Sequence, residues 1–311
     1  QLVGEVADMD GEAEMSPEDD ELYDADDTDG EGVNKEGECK FEFIEDDTKE
    51  IDGHTLHRIK CITEFCNQEE TIHVGDVGGY IEKRENLSDN AWVYNNAMVY
   101  GDAVILNSAL VRDNAVVYGN AVVDDKAFIG GNAKVLADNI NDKIIITDNS
   151  TITGNAGVMG KVVIAHNAII TGNAVIKGDG VEIKGDAQIL DNVQIVSQAT
   201  IRGNTTISGN AIIAGDAHIR GGYIQGRPFF GDGCYIAEGT RDYIVFENVG
   251  SRLDVLTAYK TKYGGVRIST GCFLGSIDEF KKAVEKTHEK NEKVKKEYFY
   301  IIDIIKNRFD L

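Results

Sequence analysis

The sequence predicts a mainly β protein built around a single-stranded left-handed parallel β-helix of about seven coils. Three observations carry this prediction. Alanine returns every six residues at the start of the repeat, a branched aliphatic residue follows each alanine by two positions, and the intervening positions favour Gly, Asn and Asp, as in "YGDA" and "RDNA". The alanines of this first run are Ala91, Ala97, Ala103, Ala109, Ala115 and Ala121.

The spacing explains how such a coil is built. Residues two apart in a strand share a face, so each six-residue unit points one small and one branched side chain toward the interior. The Gly, Asn and Asp positions allow the chain to bend, and the alanine fits the tight corner. Three units close one coil, and successive coils stack at about 4.8 Å. The period continues to Ala217, with loops expected where it shifts phase, at 137–143 and 178–180.

The chain before the repeat divides into two segments. Residues 1–38 are an acidic segment, predicted to be a solvated tail, and residues 1–50 together contain 21 acidic and three basic side chains. Residues 39–85 read as a β-hairpin cap, with strands over 40–44 and 55–62 joined by the turn pair Asp52 and Gly53. Such a cap is expected because an open β-helix end invites edge-to-edge association.

After the repeat segment, 86–226, residues 227–311 are predicted to form a small α+β domain. The stretches "YIVFEN" and "DVLTAYKTKYGGVRIST" read as strands around turn glycines. Ser276 and Glu279 form a capping-box pattern that begins one helix. An apolar stripe predicts a second helix over 292–309.

The first coils carry apolar residues at outward positions, where residues eighteen apart stack in columns. A contiguous apolar patch is rarely left bare, so we expect a flanking domain or another subunit to cover it. Isolated exposed apolar residues are the ordinary alternative. The columns are the candidate surface for a protein partner or for self-association, for which a homotrimer is one arrangement; they comprise Trp92, Tyr94, Met98, Tyr100, Leu110, Val116, Tyr118 and Phe128.

Composition disfavours several classes of protein. The net charge is −23, whereas a duplex-binding protein would be basic, so direct nucleic-acid binding is disfavoured. The sequence contains no run of eighteen apolar residues, so no membrane span is predicted. Five cysteines, an odd number in no regular framework, favour a reducing compartment, which indicates the cytoplasm.

Catalytic candidates are sparse. Acyltransferases built on left-handed β-helices use a histidine near a subunit boundary as general base. The repeat contains two histidines, His166 at a corner and His218 at an outward strand position, about three coils apart, so they cannot share one site within a chain. Each is more simply a surface residue. No metal site is predicted, because the histidines and cysteines of residues 54–73 lack a CxxC pair, and no cofactor is predicted.

Three stretches resemble a known family. "DDTKEIDGHTLHRIKCI" and "GDVGGYIEKRENLSDNAWVY", followed by the repeats, resemble β-helical proteins of bacteriophages, prophages and bacteria that are described only as hexapeptide-repeat or transferase-like proteins. The ending "GGVRISTGCFLGSIDEFKKAVEKTH" resembles the carboxy-terminal module of phage-borne members. The resemblance spans residues from about 40 to the end, and the first forty depart from it. It implies a left-handed β-helix in a bacterial host cell, with virion association as a second location, and supplies no activity.

The sequence therefore favours a non-enzymatic β-helical scaffold or interaction protein of phage or prophage origin that binds a protein partner. A hexapeptide-repeat acyltransferase is the first alternative. The second alternative is an inhibitor whose acidic tail mimics nucleic acid and occupies a basic site on a host protein, because the negative charge is concentrated at one end of the chain.

Overall fold

The computed structural model describes residues 39–68, 70–237 and 239–311; the acidic segment predicted over 1–38 lies outside them. The described part is mainly β, with two helices at its carboxy-terminal end. Its largest element is a parallel β-solenoid of about nine turns. A hairpin cap precedes the solenoid, and a four-stranded antiparallel sheet follows it.

The cap contains five strands, and its turn lies at the predicted Asp52 and Gly53, both with positive φ. The first two strands form an antiparallel hairpin, the second pairs antiparallel with the fifth, and the fifth begins the parallel stack. The parallel ladder thus ends in antiparallel pairs rather than in an open edge. These strands are β1 (Phe41–Ile51), β2 (His54–Cys61), β3 (Phe65–Asn67), β4 (Glu70–Ile72) and β5 (Val77–Ile81).

The solenoid winds around three faces, each a ladder of parallel strands. Face A contains the rungs from Trp92 to Tyr223, face B those from Tyr80 to Phe229, and face C those from Val104 to Tyr235. Its strands, β6 to β25, are Trp92–Val93, Met98–Tyr100, Val104–Ile105, Leu110–Val111, Val116–Gly119, Ala121–Val123, Phe128–Ile129, Lys134–Ala137, Lys143–Ile146, Thr151–Ile152, Gly157–Ile164, Ile169–Ile170, Val175–Ile183, Gln188–Ile189, Gln194–Ser197, Thr200–Ile207, Ile212–Ile213, His218–Ile224, Phe229–Phe230 and Tyr235–Ile236.

Face B gives the length of the stack. Its nine rungs begin at Tyr80 and end at Phe229, so the solenoid extends past both ends of the alanine repeat. About nine turns replace the seven that the periodicity predicts, because the first and last turns, "GGYIEK" and "RPFFGDG", stack without an alanine at the corner. The rungs of face B are Tyr80, Met98, Val116, Lys134, Gly157, Val175, Gln194, Ile212 and Phe229.

The repeat residues lie where the pattern predicts. Ala97, Ala103 and Ala156 have no exposed surface, and neither do the branched residues that follow them. Many corners place the residue two positions before the alanine at positive φ, for example Asn95 at 55° and Asp113 at 63°. Asn and Asp tolerate this left-handed conformation better than other non-glycine residues, which explains their enrichment at the bends.

The two predicted phase breaks have different structures. Residues 138–142 form the predicted loop, between β13 (Lys134–Ala137) and β14 (Lys143–Ile146). The break at 178–180, however, lies inside one strand, β18 (Val175–Ile183). Its register against β16 (Gly157–Ile164) shifts by one residue at Gly180, so the extra residue is a bulge and not a loop.

An asparagine ladder follows the corner between faces A and B. Each amide donates to the side-chain oxygen of the next asparagine, and the separation is 2.9 Å at every step from Asn132 to Asn210. Stacked amides satisfy one another because each has both a donor and an acceptor. The seven members are Asn96, Asn114, Asn132, Asn155, Asn173, Asn192 and Asn210.

The carboxy-terminal region is α+β. Its antiparallel sheet is β26 (Tyr243–Val249), β27 (Asp254–Lys260), β28 (Val266–Thr270) and β29 (Phe273–Ser276), followed by α1 (Ile277–Thr287) and α2 (Glu292–Arg308). The predicted capping box is present, since the Ser276 hydroxyl accepts from the Glu279 backbone N–H and the Glu279 carboxylate accepts from the Ser276 N–H. Short 3-10 turns occupy Arg84–Asn86 and Gly239–Arg241.

The carboxy-terminal sheet closes the lower end of the solenoid. Tyr259 of β27 is fully buried against Phe230 of the last turn, with ring centroids 5.6 Å apart, and its hydroxyl accepts from the Gly231 N–H at 3.1 Å. Ser269 of β28 donates to the Phe229 carbonyl at 2.9 Å. One apolar core therefore continues from Phe41 in the cap to Tyr259 in the sheet.

Candidate functional site

The predicted binding columns lie largely beneath the cap. Trp92, Tyr100, Leu110 and Val116 are buried, and each retains less than a tenth of its exposed surface. The other four, Tyr94, Met98, Tyr118 and Phe128, are partly buried. Of the two covers that the sequence allows, the structure provides the flanking segment of the same chain.

Two hairpins make the cover. On face B, Leu56 of β2 packs in one cluster with Tyr100 and Val116. On face A, Phe65 of β3 meets Trp92 edge-on with ring centroids 5.7 Å apart. The four buried members are thus internal packing surfaces over the first turns, because a partner would have to displace the cap to reach them, while the other four keep part of their surface exposed.

Polar groups at the rim fix the cap in place. The Tyr94 hydroxyl donates to the Glu70 carboxylate at 2.7 Å, and the Arg112 guanidinium lies over the Tyr94 and Phe128 rings. Burial raises the pKa of Tyr94, and the neighbouring Glu70 carboxylate adds to the rise. Tyr94 therefore remains protonated near pH 7 and acts as a neutral hydrogen-bond donor.

A second polar group lies on face B. Tyr100 and Tyr118 stack with centroids 4.5 Å apart, and the His54 ring packs against both. His54 Nδ1 lies 2.8 Å from a Glu82 carboxylate oxygen, which ties the hairpin turn to the first turn of the solenoid. Burial raises the pKa of Tyr100 to about 12, and nearby Asp52 contributes.

His166 is part of a corner. Its φ is 63°, its backbone N–H donates to Asp148 Oδ2 at 2.7 Å, and its Nδ1 accepts from the Gly185 N–H at 3.1 Å. The His166 imidazole therefore accepts a backbone hydrogen bond from the next turn, as the Asp148 carboxylate does one turn earlier. This backbone hydrogen bond gives His166 a structural role.

His218 is exposed on face C, as its outward position predicts. The face C rungs run Val163, Glu182, Thr200 and His218, so the turn holding His166 lies three rungs from His218. Successive rungs are about 4.8 Å apart, so the two histidines are too far apart to form one site within a chain, as the periodicity predicts. Burial lowers the pKa of His218, and the positive charges of Lys262 and Arg202 lower it further.

The last turns of face C carry a column of basic side chains. Lys184, Arg202 and Arg220 follow one another on successive turns, and we call them the basic column. Glu182 lies 2.9 Å from Arg202 and 3.4 Å from Lys184. Stacked like charges repel, so Glu182 offsets part of the repulsion in the upper two turns. Arg220 makes no ion pair with any described residue.

The edge of the basic column meets the carboxy-terminal sheet. Lys262, in the turn after β27, forms an ion pair with Asp216 at 2.6 Å, and its backbone N–H donates to the Gly233 carbonyl. The hydrogen bond from Lys262 lowers the pKa of Asp216, with the Gly233 N–H as second donor. The pair anchors the sheet to the solenoid beside His218.

Helix α2 exposes an aromatic and aliphatic pair that sequence reasoning missed. Tyr300 is 68% exposed and Ile304 is 48% exposed, on the side opposite the stripe of Tyr298, Ile302 and Ile305 that packs on the sheet. The two are four residues apart and so are neighbours on the helix surface. The sequence could have indicated this pair, because Tyr300 and Ile304 are large apolar residues of the helix that lie outside its predicted apolar stripe.

A cleft of about 470 Å³ lies between the last turns of face B and the carboxy-terminal sheet. Ile212, Phe229 and Leu274 provide apolar walls, while Arg227 and Asp254 provide opposite charges. The lining contains no histidine, and the hydroxyls of Thr257 and Ser269 bond to the Phe229 backbone rather than to a base. The cleft has the size of a small-molecule pocket, without a set of groups that defines a reaction.

The histidines and cysteines of the cap are separated. His54 pairs with Glu82, His73 with Glu64, and Cys61 is buried. Across residues 39–68, 70–237 and 239–311, no three His, Cys, Asp or Glu side chains are grouped to hold a metal ion. Within the same ranges no helix is long and apolar enough to cross a membrane.

Comparison with known proteins adds no relative: no protein-family model matches the chain, and no curated protein matches it significantly in sequence.

Proposed function

We propose that this chain is a left-handed hexapeptide-repeat β-helix of phage or prophage origin that acts as a non-enzymatic scaffold and binds a protein partner. The handedness is supported by the six-residue period, which is typical of the left-handed form, and the origin by the resemblance of residues 46–62, 75–94 and 264–288. The rigid solenoid is a spacer between its capped end and its helical end.

The observation that carries the binding role is the exposed pair Tyr300 and Ile304 on α2. A few residues, enriched in Trp, Tyr and Arg, provide most of the binding energy at protein interfaces. A tyrosine such as Tyr300 buries a large area at little entropic cost. The rest of the helix face is polar, with Lys293, Lys296 and Asn307 exposed around the pair. A small apolar centre with a polar rim is the anatomy of a protein contact.

The partner is expected to contribute a shallow apolar pocket with acidic groups at its rim, opposite the two lysines. Such a contact would be modest in area, because it uses one helix face. We therefore expect a dissociable complex rather than a permanent subunit interface.

The test is affinity purification of the full chain from a bacterial lysate, followed by titration of the recovered partner by calorimetry. The double variant Tyr300→Ser and Ile304→Ser should weaken binding at least tenfold while leaving the unfolding temperature within a few degrees. The matched control, Lys282→Ser and Glu285→Ser on α1, should leave affinity unchanged. Undiminished binding by the α2 variant would contradict the proposal.

A second candidate function is acyl transfer, favoured by one observation. The lowered pKa of His218 keeps its imidazole neutral near pH 7, the form that a general base needs, and the residue faces solvent. Enzymes of this type assemble their sites between subunits, so this function goes with a homotrimer. Light scattering of the chain and an acyl-donor assay of His218→Ala test it; a monomer with no histidine-dependent turnover would exclude it.

A further inference from the structure

The asparagine ladder ends at the cleft between face B and the carboxy-terminal sheet. Asn192 donates to Asn210 Oδ1 at 2.9 Å, and the register of face B places Arg227 one turn below Asn210, where the next asparagine would stand. An arginine side chain has no acceptor, so Asn210 Nδ2 cannot donate to it. Among the described residues, neither Asn210 Nδ2 nor the Arg227 guanidinium has a hydrogen-bond or ion-pair partner. Two donor groups without a protein acceptor therefore line the cleft.

The sheet contributes an acidic group to the same cleft. Asp254, the first residue of β27, is half-buried in the cleft wall. Its Oδ1 accepts from the Val255 N–H at 2.8 Å, whereas no described residue donates to Oδ2 or forms an ion pair with this carboxylate. The cleft thus contains a positive charge on the solenoid and a negative charge on the sheet, each without a partner in the described part of the chain.

The two charges lie at the same end of the cleft. The Phe229 N–H donates to the Thr257 hydroxyl, and two residues later the Gly231 N–H donates to the Tyr259 hydroxyl. The last strand of face B and β27 therefore advance in the same direction. Arg227 precedes the first of these contacts by two residues, and the first residue of β27 precedes it by three, so both side chains belong to the end where the two strands begin.

The other end of the cleft is apolar. The Leu274 side chain extends over Gly231, where its Cδ2 would lie 3.2 Å from an added Cβ, and the Phe229 ring lies beside it. Ile212, one rung above Phe229, continues this wall. The N–H and carbonyl groups of Phe229 are already bonded to hydroxyls of the sheet. A ligand would therefore meet mainly carbon surface at this end.

We propose that this cleft binds a small zwitterion with an apolar body, the chemical class of amino acids and dipeptides with large apolar side chains. The ligand carboxylate meets Arg227 and the Asn210 amide, its ammonium group meets Asp254, and its side chains lie against Phe229 and Leu274. The cleft volume of about 470 Å³ is within the range of small-molecule sites. A ligand with a single charge leaves the opposite charge of the cleft unpaired, so the two charges together select a zwitterion.

The experiment is calorimetric titration of the full chain with the dipeptide leucyl-phenylalanine, its carboxy-amide and its N-acetyl form. The free dipeptide should bind with a millimolar or tighter dissociation constant. Each blocked form lacks one charge and should bind at least about fivefold more weakly. No binding of the free dipeptide, equal affinity for the three compounds, or weaker binding of only one blocked form would overturn the proposal. None of these outcomes bears on the α2 contact, because no residue of α2 lines the cleft.

Cysteine alkylation localises the bound dipeptide. Cys272 is exposed and lines the cleft, whereas Cys66 is exposed in the cap. Alkylation requires access to the thiol, so saturating dipeptide should slow the reaction of Cys272 with iodoacetamide at least about threefold and leave Cys66 unaffected. An unchanged rate at Cys272 in the presence of saturating dipeptide would contradict binding in this cleft.

Charge variants test the two contacts separately. Arg227→Gln should weaken dipeptide binding at least about fivefold and remove the preference over the carboxy-amide. Asp254→Asn keeps an oxygen for the Val255 N–H and should remove the preference over the N-acetyl form. Lys177→Gln and Asp179→Asn, both exposed on β18 outside the cleft, are the matched controls and should change nothing. Preferences that persist in the two test variants would overturn the assigned contacts.

Discussion

The early and late turns of the solenoid share one interior and differ in what their outer faces carry. In the first turns, Trp92, Leu110 and Tyr100 point outward and are covered by the cap. In the later turns the same columns hold Thr206, Gln188 and Lys177, and no cap strand reaches them. The interior repeat specifies the coil, while the outward residues decide which part of it another segment covers.

The largest expected difference in the free energy of unfolding is between alanine substitutions at Trp92 and Gln188, which lie in one column of face A. Trp92→Ala removes a fully buried side chain beneath Phe65 and should lower the free energy of unfolding by about 3–5 kcal/mol. Gln188→Ala, five rungs further along face A, removes an exposed side chain and should change the free energy of unfolding by less than about 0.5 kcal/mol. Urea unfolding monitored by circular dichroism measures both; equal losses would contradict the covering role of the cap.

Glycines at the corners give the second test. Gly119 has a φ of 75°, and a Cβ there would lie 2.0 Å from the Ala137 carbonyl oxygen. Gly203 has a φ of 69°, with no atom closer than 3.8 Å to an added Cβ. Gly203→Ala should cost about 1–2 kcal/mol for its backbone conformation alone, whereas Gly119→Ala adds a steric cost of about 1–3 kcal/mol.

Thermal unfolding of the two glycine variants provides the measurement. The Gly119 variant should melt several degrees below the Gly203 variant. Identical melting temperatures would mean that the two corners yield equally, and that the tight stacking at Gly119 has no energetic consequence.

Acid should loosen the cap through Glu82. Burial acts to raise the pKa of this carboxyl, but hydrogen bonds from His54 and the Gly101 N–H outweigh it and leave the pKa lowered. The stabilisation is therefore present above the ordinary glutamate pKa and is lost as pH falls through the lower value of the folded state. Glu82→Gln should remove about 1 kcal/mol at pH 7 and flatten the acid limb of stability.

In the late turns, Glu182 is the carboxyl group to compare with Glu82. Its pKa is also lowered, because burial, which acts to raise it, is outweighed by Arg202 and Lys184. The Glu182 ion pairs are more exposed than the His54–Glu82 contact, so added salt should reduce the effect of Glu182→Gln more than that of Glu82→Gln. The same salt sensitivity in both variants would weaken the distinction between a covered and a bare end.

The smallest expected effect concerns the asparagine ladder. Asn173 is bonded on both sides at 2.9 Å, whereas Asn96, at the top of the ladder, has one contact of 3.5 Å. Asn173→Ala should cost about 1 kcal/mol, and Asn96→Ala less than about 0.5 kcal/mol. Chemical denaturation distinguishes them, and a larger loss at Asn96 would mean that the ladder is not what stabilises this corner.

The sequence by itself determined the interior of the solenoid. A period of six with alanine and branched residues two apart admits one arrangement, since strand parity and corner size depend only on neighbouring residues. The phase break at 138–142, the capping box at Ser276 and the apolar stripe of α2 were predictable for the same reason, because each is a local pattern. The loop predicted at 178–180 was wrong, because one extra residue, here Gly180, can form a bulge as readily as a loop.

Only the tertiary structure decided what the outward residues do. The apolar columns predicted a cover, but which segment supplies it depends on where the hairpins fold back, and Leu56 and Phe65 carry no local sign of their destinations. The spacing of eighteen residues already places Lys184, Arg202 and Arg220 on successive turns, whereas the contact of Glu182 with two of them is visible only in the structure. Contacts between the flanking segments and the stack depend on where those segments fold back, which the repeat period does not encode.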